Sequence, residues 1–185
     1  MLFGLSPAVE PGGKGDHRTM FPGEVWGATA EERAARLPCD EIHPDGLAAD
    51  RAVSVDAPPS LVWAWLCQIR LAPYSYDRLD NFGKPSPPVR TPDLVNLEVG
   101  QRFMRRFTLV GFERDDHVTI QAGRVVITYA VRPEGAGTRL VARAIFHGPA
   151  VIGRPLGLVD MIMMRRQLLN LKTHAEAEHA AVTTG

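Results

Sequence analysis

Apolar positions in this chain follow two rhythms, and the switch between them divides it into elements. From Arg51 to Asp56 the residues alternate, with Val53 and Val55 on one side and Ala52 and Ser54 on the other. That period predicts a strand. Pro58 and Pro59 turn the chain, and Pro59 suits the first turn of a helix. Val62, Trp65, Leu66 and Ile69 then fall at i, i+3, i+4 and i+7, which is one helical face. From Val99 the period becomes two. It predicts strands near 101–110, 111–115, 117–122, 124–133 and 137–147, with turns at Asp115-Asp116, Ala122-Gly123 and Glu134 to Gly137. In 137–147, Leu140, Ala142, Ala144 and Phe146 form an apolar face, and Arg139, Arg143 and His147 lie opposite. Gly148 to Gly157 reads as a Gly/Pro-broken connection. A long helix is predicted from Leu158 to about Ala180, with Met161, Met164, Leu168, Leu171 and Ala175 along one side.

The remaining segments are punctuated differently. Residues 1–23 are rich in Gly and Pro with no apolar period, which predicts a loosely attached arm. Residues 24–185 then make one domain. Ala28 to Leu37 reads as a short helix with Thr29 as N-cap and Glu31 and Glu32 in its first turn; Pro38 stops it, and Cys39 to Ala49 connects. Tyr74 to Phe82 is a short helical or turn-like element. Lys84 to Pro92 holds four prolines in nine residues and must be irregular.

A sheet that opens with a strand plus helix and closes with one long helix wraps around that helix. The predicted class is α+β: a curved antiparallel β-sheet around a long C-terminal helix, with an apolar cavity between them. Composition narrows what fills it. Lys plus Arg number 21 and Asp plus Glu 21, so the net charge is zero. That argues against a nucleic acid partner and against electrostatic anchoring to a membrane. No apolar run approaches the roughly 20 residues of a membrane span, and a cytoplasmic protein, monomer or homodimer, is expected. Cys39 and Cys67 are too few for a disulfide framework, and the six histidines show no ligand spacing, so no metal is expected.

Several segments together resemble one superfamily. VSVDAPPSLVWAWLCQI is similar to the opening of the polyketide cyclase/START-like superfamily (SRPBCC, or Bet v 1-like, proteins). YSYDRLDN resembles the Tyr-rich loop after helix one in a bacterial branch, and LEVGQRF its turn into the second strand. GTRLVARAIF resembles the penultimate strand and MMRRQLLNLKTHAEA the closing helix. The resemblance spans roughly residues 28–180. It implies the helix-grip fold and a site for a small hydrophobic molecule: a lipid, an aromatic polyketide or a similar metabolite. It also implies that no cofactor is needed. The activity it suggests is a cofactor-independent cyclase or dehydratase; a non-catalytic carrier or sensor, and a partner-binding accessory protein, are the alternatives. The chain departs from that branch between Tyr76 and Leu97, where it is proline-dense beside the cavity mouth.

Candidate ligand-facing residues are Trp65, Phe103, Phe107, Phe146, Met161, Met164 and Leu168, the inward apolar set on sheet and helix. Candidate catalytic residues are Tyr74, Tyr76, Asp77 and Arg105. A Tyr hydroxyl beside a carboxylate can polarise a ligand carbonyl while the Asp takes a proton. The competing reading has Tyr74 and Tyr76 packing the helix–loop junction, with Asp77 and Asp80 as caps. Arg105 shares a strand side with Phe103, Phe107 and Leu109. Facing inward it needs an acidic partner or an anionic ligand group, since a buried unpaired cation is costly; a register shift by one sends it to solvent.

Overall fold

A computed structural model of the chain describes residues 23–76, 84–148 and 150–184. Seven strands form one sheet in the order β1-β2-β7-β6-β5-β4-β3. They are β1 (Val25–Trp26), β2 (Leu47–Val55), β3 (Arg102–Phe103), β4 (Phe107–Glu113), β5 (His117–Ala122), β6 (Val125–Glu134) and β7 (Gly137–Phe146). β1 pairs with β2 in parallel, and every other pairing is antiparallel. Among the described residues the α-helices are α1 (Ala30–Ala34), α2 (Pro38–Ile42), α3 (Pro59–Leu66) and the 34-residue α4 (Ala150–Thr183). The sheet curves about α4, which is the α+β helix-grip arrangement expected.

The inner face carries the core. Phe103, Leu109, Ile120, Tyr129, Leu140, Ala142 and Ala144 pack there with Met164, Leu168, Leu171 and Ala175 of α4. The sides of β7 are as predicted, but its opposite face is not simply solvated. Val126, Ala130, Val141 and Ile145 on that outer face pack with Leu37 and Cys39. Arg143 sits beneath this cover with only 4% of its side chain exposed. It donates from Nε to Asp50 Oδ1 at 2.7 Å and from Nη1 to Asp40 Oδ2 at 2.6 Å. It also donates to the carbonyls of Glu32, Arg33 and Ala35, at 3.0, 2.8 and 2.9 Å. These are carbonyls at the end of α1 that have no intrahelical partner. Burial opposes its charge, but the hydrogen bonds and charges of Asp50 and Asp40 hold the guanidinium above its ordinary value. Arg139 binds Glu32 in the same cover at 2.6 Å. Gly27 lets β1 lie this close. Its φ is +72°, and a Cβ there would stand 2.2 Å from the Ala52 carbonyl oxygen.

Four expected boundaries change. The helix expected over 28–37 is the shorter α1, which Thr29 caps in a capping box with Glu32, and Pro38 opens a second helix, α2, rather than ending the first. A proline lacks only a donor that a first helical turn leaves unpaired. The first long strand starts at Leu47, so the expected connector 39–49 is mostly α2 and strand. The strands expected at 101–110 and 111–115 are instead a hairpin of β3 and β4, because Met104 and Arg105 adopt φ of 43° and 62° and turn the chain. α4 begins at Ala150 and runs through Gly153, Pro155 and Gly157, where a broken connection was expected. Local propensity is a weak prior against a helix that continues on both sides. The expected arm lies outside the described residues except at Gly23, whose carbonyl accepts from Arg51 Nη2 at 2.6 Å.

Candidate functional site

Pairing register builds a row of apolar side chains across the inner face. Leu47 pairs with Phe146, Phe146 with Val125, Val125 with Ala122, and Phe107 with Phe103. Gln121 pairs with Thr108, so the next step joins Ala122 to Phe107. Phe103 and Phe146 are buried, while Leu47, Ala122, Val125 and Phe107 are half-buried. Three of the predicted ligand-facing residues therefore share one row at one end of the sheet. On α4, Met164 and Leu168 are buried in the core and Met161 is half-buried. α4 runs from this end, following Phe146 closely in the chain, to Ser54 and Asp56 at the far end of β2. There Lys172 Nζ donates to the Ser54 carbonyl at 2.7 Å and the Asp56 amide donates to Glu176 at 2.8 Å.

Within this apolar interior sits a polar pair that the periodicity did not single out. Tyr129 donates its hydroxyl proton to Gln167 Oε1 at 2.6 Å, and Gln167 Nε2 donates to the Pro73 carbonyl at 2.5 Å. Both side chains are buried. One turn on, Asn170 Nδ2 donates to the Tyr74 carbonyl at 2.9 Å. Together Gln167 and Asn170 hold the chain where Tyr74 takes a φ of 53°. The available signal was Tyr129 itself, at an inward position of a predicted strand; its partner on α4 is distant in sequence and could not be paired with it.

Trp65 belongs to the other end of α4. It is buried, its ring stacks on His174 at 4.6 Å, and Tyr74 meets both rings edge-on. The Trp65 indole N–H donates to Glu178 Oε2 at 2.9 Å. Arg90, in the Pro-rich loop, donates to the same carboxylate from Nε at 2.9 Å and Nη2 at 2.6 Å. The Tyr74 hydroxyl donates to the Pro87 carbonyl at 3.0 Å, and Gln68 exchanges hydrogen bonds with the Thr91 backbone at 2.9 and 3.1 Å. The loop is thus strapped over α3 and α4, and an open cleft of about 370 Å³ remains between Pro88, Val89, Arg90 and Pro92 on one side and His174, Ala177 and Glu178 on the other. Burial pushes His174 below the ordinary imidazole value, so it is neutral at pH 7. Hydrogen bonds from Arg90 hold the Glu178 carboxyl below its ordinary value.

That last direction sets a pH dependence. A carboxyl depressed in the folded state adds stability above its unfolded pKa and loses it as pH falls through the lower folded value. Arg90→Met should remove about 1 kcal/mol at pH 7, the upper range for a partly exposed ion pair. The difference between the two proteins should shrink as the pH is taken below 4.5, the ordinary value for Glu178. Parallel urea titrations at pH 7 and pH 3 check this; a difference of equal size at both would exclude Glu178 as the source.

The catalytic candidates do not form one constellation among the described residues. Tyr74 is buried with its hydroxyl bound to a carbonyl, and Tyr76 is exposed. Asp77, with Arg78 and Asp80, lies outside the described residues. Arg105 is exposed in the β3–β4 turn, not on a strand facing the interior. Burial pushes the Cys39 thiol up to about 11 and the Cys67 thiol up to about 12, which makes both inert at neutral pH. Glu113, Asp116 and His117 bring ligand atoms within 4.8 Å of one another. Arg132 donates to Asp116, so a cation already occupies that carboxylate. Among the described residues no helix is long and apolar enough to cross a membrane.

No protein-family model matches the chain, and no curated protein does. Solved structures do. The crystal structure of protein NE0264 from Nitrosomonas europaea superposes with a TM-score of 0.50 at 16% identity, over 78% of this chain and 99% of that one. The solution structure of KanY protein gives 0.46 at 17% identity, over 71% and 98%. DynU16, described as a protein in the dynemicin biosynthetic locus, gives 0.44 at 13% identity, over 70% and 48%. At these identities the likeness to NE0264 concerns the fold alone; the other two carry no further argument.

Proposed function

We propose that this protein binds a small hydrophobic molecule between the inner face of the sheet and α4, as a carrier or sensor. The observation that carries the reading is the cross-strand row Leu47, Phe146, Val125, Ala122, Phe107 and Phe103. Four of its six side chains are only half-buried although they belong to the face that forms the core. Leaving apolar area in partial contact with water is unfavourable by about 25 cal/mol per Å², and an apolar ligand that covers it recovers that free energy. Met164 lies in the same core and Met104 packs against it, and thioether side chains adapt to irregular partners.

A cyclase or dehydratase acting in the same space is the catalytic version of this reading. It has less support. The hydroxyl of Tyr74 is committed to Pro87, and Arg105 stands exposed at a turn.

Two measurements test the proposal. Native mass spectrometry of the purified protein should find a retained hydrophobic molecule, and Nile red, a neutral apolar dye, should bind saturably. Phe107→Ser removes a half-buried ring from the row and should weaken dye binding about tenfold, for a loss of 1–2 kcal/mol of apolar contact. Dye binding that does not saturate, or that ignores Phe107→Ser, would overturn the reading.

A further inference from the structure

Exposed arginines occupy the turns that flank one side of the apolar row. One register step beyond Phe107 and Ala122 come Arg106, in the β3–β4 turn, and Gly123, in the β5–β6 turn, with Arg124 next to it. Both arginine side chains are exposed. The Arg124 carbonyl accepts from the His147 amide at 2.9 Å, which fixes its turn against the end of β7, where Phe146 enters the row. Arg105 precedes Arg106 in the same turn, and Arg102 lies on the outer side of β3; both are exposed. Asp45 lies in the exposed connection before Leu47, at the opposite extremity of the row. Arg106 and Arg124 thus stand in neighbouring hairpin turns beside the half-buried side chains of Phe107, Ala122 and Val125.

A molecule that inserts a hydrophobic body along the row leaves its polar end at this rim. Arginine donates in a planar fork that matches carboxylate or phosphate oxygens, and its weakly hydrated head gives up water easily. Resting on the hydrophobic-ligand reading above, we propose that the ligand is an anionic amphiphile, its apolar body along the Phe107–Phe146 row and its carboxylate or phosphate group between Arg106 and Arg124. The head group stays partly hydrated, so each contact adds a modest increment and the apolar body sets most of the affinity. Selectivity, not affinity, is what the rim confers.

The test compares ligands that differ only at the head. Full-length protein is titrated calorimetrically with dodecanoate, dodecyl phosphate and 1-dodecanol, below their aggregation concentrations. Both anions should bind about fivefold or more tightly than the alcohol, as two solvent-exposed charge contacts allow; which anion binds better distinguishes a carboxylate from a phosphate head. Arg106→Gln combined with Arg124→Gln should remove most of that preference and leave the affinity for 1-dodecanol unchanged. Arg114→Gln, an exposed arginine in the β4–β5 turn at the far end, should leave the preference intact. Retention of the circular dichroism spectrum and midpoint in the double variant shows that it folds. Equal binding of anion and alcohol to the parent protein, or a preference that survives the double variant, would overturn the proposal while the hydrophobic-ligand reading stands. Binding of none of the three would overturn both. Binding to phosphatidylglycerol vesicles without uptake of any free amphiphile would also overturn it, by assigning the rim to a membrane surface.

Discussion

Arg143→Met should destabilise the protein by about 3–5 kcal/mol, the range for removing one partner of a buried ion pair. The guanidinium spans two carboxylates and three carbonyls; its removal strands Asp50 and the carbonyls, while Asp40 keeps the Leu37 amide at 2.8 Å. Asp50 suffers most: its side chain is only 7% exposed, and burial already pushes its carboxyl above the ordinary value against the pull of Arg143. The three carbonyls at the end of α1 lose their donor at the same time. Urea unfolding should show a lower midpoint with an unchanged slope if the fold remains two-state. The double variant Arg143→Met, Asp50→Leu should recover part of the loss, because no buried charge is then left unpaired. A cost below about 1 kcal/mol for the single change would mean that α1 and α2 are held without Arg143, by Leu37 and Cys39 packing, the Arg139–Glu32 pair and the Cys39 amide bond to Thr128.

Trp65→Ala should cost about 3–5 kcal/mol, as deletion of a fully buried large aromatic does. The ring joins α3 to α4 through the His174 stack and the Glu178 hydrogen bond, and Tyr74 packs against its edge. Removing it opens a cavity beneath the strap and leaves Glu178 with Arg90 as its remaining partner of the two. Trp65→Phe keeps most of the ring and loses the N–H, so it should cost about 1–2 kcal/mol. Equilibrium unfolding of both variants separates the packing from the hydrogen bond. Equal losses would show that the Glu178 bond, not the ring, joins the helices. Trp65 stands at the end of α4 away from Phe107 and Phe146, so its substitution by Phe should change Nile red affinity little.

Periodicity was enough for what depends on neighbours in sequence. Alternation in 137–147 identified the inward set Leu140, Ala142, Ala144 and Phe146, because a pleated strand sends successive side chains to opposite faces. Helical spacing placed Met164, Leu168, Leu171 and Ala175 on one side of α4. The resemblance named the helix-grip arrangement from the order of the motifs. Together these marked the residues that converge in the interior.

What the period could not decide was anything set by a partner far along the chain. The hairpin at Met104 and Arg105 overrode an alternation that would have continued through them, because φ near +50° reverses the strand whatever its polarity pattern. Arg143 reads as a solvated outer residue until α1 and α2 are laid over the sheet; then it becomes the most heavily bonded side chain of that cover. His174 and Glu178 showed no ligand or catalytic spacing, yet with Trp65 and Arg90 they line a cleft, because α3 and the Pro-rich loop meet α4 only in the folded chain. The pairing of Tyr129 with Gln167 has the same origin: 38 residues separate two groups whose hydrogen bond exists only once the sheet has closed on α4. Local pattern encodes which face a residue takes, and tertiary contact alone decides what that face meets.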